Sequence, residues 1–128
     1  MNPSSAEPRE PTKHQQRTEA TQRALLSAAL RIFARDGFEA SRIEDIAAAT
    51  GRTRGAFYAH FRSKEDLFFA LFEQEAGDRL RVLRSALEKC ASSEERLQAM
   101  REFYVARAAD RPWVMLALEF RLFAVRHP

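Results

Sequence analysis

Residues 41–61 read SRIEDIAAATGRTRGAFYAHF and predict two short helices joined by a tight turn. Gly51 permits the turn, and Ala47 is small enough for the two helices to cross closely. Apolar residues recur at helical spacing on one face of each helix, and we expect that face to pack against a preceding helix. The inward-facing residues are Ile43, Ile46, Phe57 and Phe61. This arrangement is typical of a helix-turn-helix unit.

The opposite face of the second short helix is predicted to point into solvent. It carries Arg52, Thr53, Arg54, Ala56 and Tyr58. In a helix-turn-helix the second helix enters the major groove of DNA, where an arginine fork can bind guanine O6 and N7 together. Thr53 and Ala56 could contact a thymine methyl group, or they could allow the helix to approach the DNA closely. For an isolated residue the favoured interpretation is local: Tyr58 would pack against its neighbours, and His60 would cap a helix or form a local hydrogen bond.

A longer helix is predicted before this unit, from Thr18 to the turn at Gly37. Glycine readily adopts the left-handed backbone conformation that ends many helices, and Phe38 can then fold back onto the last turn. Ser41 and Glu44 have the spacing of a capping box at the start of the first short helix. Residues 1–17 combine three prolines with polar side chains, which predicts a disordered arm.

Three further helices are predicted after this unit, and no strand-like alternation appears. Ser63 begins a capping pattern that opens a long helix, and Ser92 with Glu95 caps the next one. Pro112 marks the start of the last helix, because proline is tolerated at the first helical position. The fold class is therefore predicted to be all-α, with a three-helix DNA-binding part, a long connecting helix and a further helical part.

Composition narrows the class of protein. The net charge of +3 lies entirely in the stretch up to Ser63, which has 10 basic and 7 acidic residues against 11 and 11 beyond it. The single cysteine, Cys90, excludes an intramolecular disulfide and is typical of a reducing compartment. No stretch approaches the roughly 20 apolar residues of a membrane helix, and the first residues lack the apolar core of a secretory signal. We therefore expect a cytoplasmic protein without a membrane partner.

The sequence offers little for catalysis. The 3 histidines are widely separated. There is no glycine-rich phosphate loop, no metal-ligand spacing and no nucleophile motif. We therefore expect neither enzyme activity nor a cofactor or metal site.

Residues 21–72 resemble the DNA-binding domain of the TetR family of bacterial transcription regulators. The resemblance rests on Ala28-Ala29 and Phe33 in the first helix, on Gly37-Phe38, and on the stretch from Ile43 to Ala47. Its most specific part is the string Phe-Tyr-x-His-Phe-x-Ser-Lys-Glu-x-Leu, which occupies residues 57–67.

The resemblance implies how individual residues meet DNA. Residues at family positions that touch phosphates are Tyr58, His60 and Lys64. Residues at the variable positions that face bases are Arg52, Thr53, Arg54 and Ala56. Arg42 stands at a position that meets the backbone or a base edge. The helix N-terminus at Lys64 would favour a phosphate there.

The resemblance also implies a homodimer that represses promoters until a small hydrophobic effector binds its C-terminal helices. Candidate residues for lining the effector pocket are Phe103, Tyr104, Trp113, Met115 and Phe120, joined by Phe123. An ordinary helical core is the alternative, and for each residue individually it is the favoured one. Family members continue with further helices past the point that corresponds to residue 128, so we expect the apolar run from Trp113 to Val125 to be exposed.

These observations predict three parts of the chain: the arm over 1–17, a helix-turn-helix DNA-binding domain over 18–66, and part of a ligand-binding and dimerisation domain over 67–128. The predicted function is a ligand-responsive repressor that binds a palindromic operator as a dimer. The alternative is a helical protein-interaction module without specific DNA binding, which would use the basic face or the apolar run.

Overall fold

A computed structural model describes residues 9–128, and these residues form six helices without a strand. The helices are α1 (Lys13–Asp36), α2 (Ile43–Ala49), α3 (Arg54–Tyr58), α4 (Lys64–Glu88), α5 (Ser93–Ala108) and α6 (Arg111–Arg126). The all-α prediction is confirmed. The predicted boundary between residues 66 and 67 falls inside α4, which runs unbroken across it.

The main core lies where α1, α2, α3 and α4 meet. Phe33, Phe57 and Phe68 are fully buried there and belong to one hydrophobic core, in which the rings of Phe33 and Phe68 lie 5.5 Å apart. Ile46 is also fully buried, and Phe61 is nearly so. The predicted inner face of the two short helices is therefore confirmed, except that Ile43 is only half-buried at the edge of the core.

The first helix begins earlier than its apolar pattern predicts. Thr12 caps α1, since its hydroxyl oxygen accepts from the Gln15 backbone N–H at 3.2 Å while the Gln15 side chain accepts from the Thr12 N–H at 2.8 Å. The disordered arm predicted over 1–17 is thus wrong for residues 13–17, and residues 1–8 lie outside the described part. The first turns of α1 are exposed and polar, so apolar periodicity carries no signal there.

The capping box predicted at Ser41 and Glu44 is wrong. The Ser41 hydroxyl donates back to the Gly37 carbonyl instead, and Arg42 is the N-cap of α2 without a side-chain cap bond. Ser41 is itself buried, so its hydroxyl needs a partner inside the turn. The caps predicted at Ser63 and Ser92 are confirmed, with N–H to hydroxyl distances of 3.0 and 3.1 Å.

The last helix, α6, returns to the first half of the chain and packs mainly on α1. Its Leu116 is fully buried, and the ring of Phe123 lies 5.3 Å from that of Phe38. The predicted exposure of the run from Trp113 to Val125 therefore holds for one face only. The large apolar residues of α6 that are exposed are Leu118, Leu122 and Val125.

A charged cluster holds the turn between α5 and α6 against α4. The Arg79 guanidinium donates to Glu75 at 2.6 Å and to Asp110 at 2.5 Å, and it lies 4.3 Å from the Trp113 ring centre. Burial raises the pKa of Asp110, but hydrogen bonds from Arg79 and the Trp113 N–H, with the charges of Arg79 and Arg107, leave that pKa below its ordinary value.

By contrast, α5 contributes no buried residue. Leu97, Tyr104 and Val105 are each more than half exposed. None of the six helices in the described range is long and apolar enough to cross a membrane.

Candidate nucleic-acid interface

The turn between α2 and α3 is closed by backbone hydrogen bonds around one glycine. Gly51 has φ of 69°, a conformation that L side chains rarely adopt. The Arg52 N–H donates to the Ala47 carbonyl at 3.0 Å, and the Thr50 hydroxyl donates to the same carbonyl at 2.8 Å. The Ala47 carbonyl near the end of α2 therefore has hydrogen-bond donors, and the same bonds fix the direction in which the chain enters α3.

One face of α3 is anchored in the core and the other faces solvent. Phe57 is fully buried and its ring lies 5.8 Å from Phe61, whereas the neighbouring Tyr58 is 44% exposed. Thr53 caps the helix by accepting from the Ala56 N–H at 3.4 Å, and both Thr53 and Arg54 are exposed. Two of the four predicted base-facing residues, Thr53 and Arg54, therefore lie exposed at the start of this short helix.

Arg54 has two partners on this surface. Its Nη1 lies 3.1 Å from the Glu44 carboxylate of α2, and its Nη2 donates to the Tyr58 hydroxyl at 3.4 Å. The hydrogen bond with Tyr58, and then the negative charge of Glu44, raise the pKa of Arg54 above its ordinary value. The guanidinium stays charged and is oriented by side chains from two helices.

The other predicted contacts differ in their freedom to reach DNA. Arg42 is exposed at the start of α2. Arg52 is half-buried, and its guanidinium donates to the Thr50 carbonyl at 3.0 Å. Ala56 and His60 are also half-buried.

Lys64 occupies a different setting from the phosphate contact that the resemblance implies. Its ammonium donates to the carbonyls of Phe38 at 2.7 Å, Ser41 at 3.0 Å and Glu39 at 3.4 Å. It also lies 4.3 Å from the Phe38 ring centre. A lysine has three N–H donors, so these carbonyls use all of them. In this structure Lys64 ties the start of α4 to the turn between α1 and α2.

Sequence reasoning missed Glu119, which reaches the same turn from α6. Its carboxylate accepts from the Phe38 N–H at 3.0 Å, across 81 positions of sequence. A side chain at Gly37 would lie 3.1 Å from that carboxylate, so glycine suits this position for space as well as for its φ of 81°. No local pattern could have revealed Glu119, because it stands as a single acid in an apolar run.

The residues predicted to line an effector pocket do not form one cavity. Trp113 and Phe120 stack on Phe72 from α4, with ring centres at 5.5 and 4.0 Å, so they belong to the core. Tyr104 is 60% exposed beside Phe103, while Met115 is half-buried on α6. An open cleft of about 440 Å³ lies between α4 and α5, and none of these residues lines it. Its lining is Leu80, Leu83, Arg84, Leu87, Glu88 and Arg96.

Comparison with known proteins agrees with this geometry. Residues 25–71 match the family described as bacterial regulatory proteins, tetR family. The chain is 33% identical over 107 residues to the HTH-type transcriptional regulator RutR of Escherichia coli, covering 84% of this chain and 44% of RutR. It is 42% identical over 52 residues to the HTH-type transcriptional repressor AcnR of Corynebacterium glutamicum, covering 41% of this chain and 28% of AcnR.

The fold extends the likeness beyond the helix-turn-helix. The structure of the fatty acid degradation regulator FadR from Bacillus halodurans superposes with a TM-score of 0.70 at 23% identity, covering 88% of this chain and 61% of FadR. The chain thus spans less than half the length of the two curated relatives and under two thirds of this structure. From the motif, the exposed face of α3 and these matches, we conclude that residues 25–71 form a helix-turn-helix domain of the kind found in the tetR family of bacterial regulatory proteins.

Proposed function

We propose that this chain contains the DNA-binding domain of a transcription regulator and that α3 reads a DNA operator in the major groove. The observation that carries the proposal is the division of α3 into a buried face at Phe57 and an exposed face at Thr53, Arg54 and Tyr58. A helix anchored in this way can enter a groove without disturbing the core behind it. The net positive charge of the half that contains α3 supports attraction to phosphates.

Each residue has a chemical role in this proposal. Arg54 contacts a guanine edge, and Thr53 lies close enough on the same surface to meet a neighbouring base. Tyr58 and His60 contact phosphates, and Arg42 meets the backbone from the start of α2. Arg52 and Ala56 are half-buried beside these residues, so they allow the helix to lie close to the DNA but do not extend far towards the bases.

The regulator acts as a ligand-responsive repressor in the cytoplasm and binds a palindromic operator as a dimer. The name of AcnR, a repressor, supports the direction of control. Exposed apolar side chains on α5 and α6, such as Tyr104 and Leu122, supply surface for a second copy or for the further helices that longer relatives contain. The cleft between α4 and α5 has apolar walls at Leu80, Leu83 and Leu87, which suit a small hydrophobic effector.

Selection of bound duplexes from a randomised pool tests the DNA-binding proposal. We expect enrichment of one short motif that survives excess competitor DNA. The Arg54→Ala variant should bind the motif with a loss of about 1–3 kcal/mol and relaxed preference at one base pair. Arg101→Ala on α5 removes the same charge from an exposed site on another helix, and it should keep the wild-type preference.

The protein-interaction alternative makes the opposite prediction. If no motif is enriched and binding disappears with competitor DNA, the chain is a helical interaction module and the assignment of α3 is wrong. A motif written as an inverted repeat would in addition support the dimeric operator.

A further inference from the structure

The guanidinium of Arg54 is held by two helices of the helix-turn-helix at once. Glu44 on α2 lies 3.1 Å from Nη1, and Tyr58, one turn further along α3, accepts from Nη2 at 3.4 Å. The guanidinium carbon lies 5.5 Å from the Tyr58 ring centre, close to the aromatic ring. The side chains of Arg54 and Glu44 are 61% and 55% exposed, so the pair remains accessible to a large ligand.

These contacts leave Arg54 with donors to spare. An arginine carries five N–H groups, and the two contacts engage one group on each terminal nitrogen. Three groups remain, which is enough for the two-donor contact with guanine O6 and N7. The ion pair therefore restricts the orientation of the side chain without consuming its capacity to read a base.

The charge of Glu44 also changes which DNA atoms suit Arg54. An unpaired arginine gains from any phosphate, since that attraction does not depend on sequence. If Arg54 swung away to a phosphate, it would leave the Glu44 carboxylate unpaired beside a polyanion. Staying with Glu44 and contacting a base edge avoids that repulsion. The ion pair thus disfavours indiscriminate phosphate binding more than base reading.

We propose that Glu44 is a specificity-determining residue of the DNA interface, a positioning residue that keeps Arg54 directed at a base. This inference rests on the proposed DNA binding and deepens it, because it assigns part of the sequence preference to a residue of α2, outside α3. Without Glu44, Arg54 still binds DNA but distinguishes sequences less well.

The test compares Glu44→Gln with Asp45→Asn in the full 128-residue chain. Both residues are exposed acids in the first turn of α2, so each variant removes one negative charge from the same place. Asp45 forms no ion pair within 4 Å among residues 9–128, and its charge acts only at longer range, on Arg35, which makes it the matched control. Affinities are measured for the selected motif, for the motif with its guanine replaced, and for unrelated duplex.

We expect both variants to bind unrelated duplex more tightly, and Glu44→Gln more so than Asp45→Asn, because it also frees Arg54 to contact phosphates. Discrimination between the motif and its guanine-replaced form should fall on the order of tenfold in Glu44→Gln and stay unchanged in Asp45→Asn. Nitrogen-15 relaxation of the Arg54 guanidinium in the free protein should show faster rotation in Glu44→Gln only. If Glu44 had only a structural role, Glu44→Gln would lower the melting temperature but would change neither the sequence discrimination nor the rotation rate of the Arg54 guanidinium.

Two results would overturn the inference, and they are distinguishable. Equal discrimination by the two variants, with the wild type still selecting a motif, removes Glu44 from the specificity of an otherwise correct interface. A wild-type chain that selects no motif at all removes the proposed function itself, and the role of Glu44 with it.

Discussion

The helix-turn-helix and α5 are stabilised in opposite ways. α2 and α3 have only 7 and 5 residues, yet each inserts a fully buried side chain, Ile46 and Phe57, into the core. α5 has 16 residues and buries none. Helices as short as α2 and α3 are unstable alone, so tertiary contacts must hold them, whereas α5 depends on its caps and on one edge against α4 and α6. Helix length therefore says little about which part of the molecule is rigid.

Truncation of one apolar residue in each region gives the largest expected difference. Phe57→Ala should lower the free energy of unfolding by about 3–5 kcal/mol, because it empties a fully enclosed site. Leu97→Ala on α5 should change it by less than about 0.5 kcal/mol, since that side chain is 69% exposed. Urea denaturation followed by circular dichroism measures both. Equal losses would mean that α5 has a packing partner in solution.

A charge test addresses how the far end of α5 is anchored. Asp110→Asn keeps a side chain able to cap α6 but removes the charge that faces Arg79, so we expect a loss of about 1.5 kcal/mol at pH 7. The pKa of Asp110 is lowered in the folded state, so its contribution is complete above the unfolded pKa of about 3.9 and is lost as pH falls through the lower folded value.

The difference in unfolding free energy between wild type and Asp110→Asn should therefore stay constant from pH 7 to about pH 4 and shrink below that. Urea titrations at a series of pH values provide the measurement. A difference that grew on acidification would contradict the ion pair with Arg79 as its source.

A substitution at Lys64 tests how the helix-turn-helix is held to α4. Lys64→Met should cost about 1 kcal/mol of stability, because three backbone carbonyls lose their donor. The dependence of DNA affinity on salt should not change, whereas a phosphate contact would reduce that slope by about one. Lys89→Met, which removes a positive charge from an exposed position after α4, serves as the charge-matched control.

The smallest effect is expected at the cap of α5. Ser92→Ala removes the hydroxyl that accepts from the Glu95 N–H at 3.1 Å, at a local cost of about 0.5–1 kcal/mol. Hydrogen exchange should speed up in the first turn of α5 while α2 and α3 are unaffected. The equivalent change in α4, Ser63→Ala, should instead lower global stability, because α4 carries the buried Leu67 and Phe68.

Local signals predicted much of the fold correctly. The helix-turn-helix, the turn at Gly51 and the inward face at Phe57 follow from spacing and from the freedom of glycine, both of which are properties of neighbouring residues. The caps at Ser63 and Ser92 succeeded for the same reason. The cap predicted at Ser41 was wrong because its buried hydroxyl donates to the Gly37 carbonyl, a partner that the capping-box spacing does not indicate.

The candidate site divides along the same line. Residue identity and helical phase were enough to place Thr53, Arg54 and Tyr58 on an exposed face, because periodicity is short-ranged. The partners of those residues needed the third dimension. Glu44 reaches Arg54 only after α2 and α3 have packed together. In the same way, Lys64 reaches the Phe38 carbonyl and Glu119 reaches the Phe38 N–H only after α4 and α6 have packed against the turn that precedes α2. A charged side chain is paired by whatever the fold brings within about 3 Å of it, and that neighbour is set by the whole core.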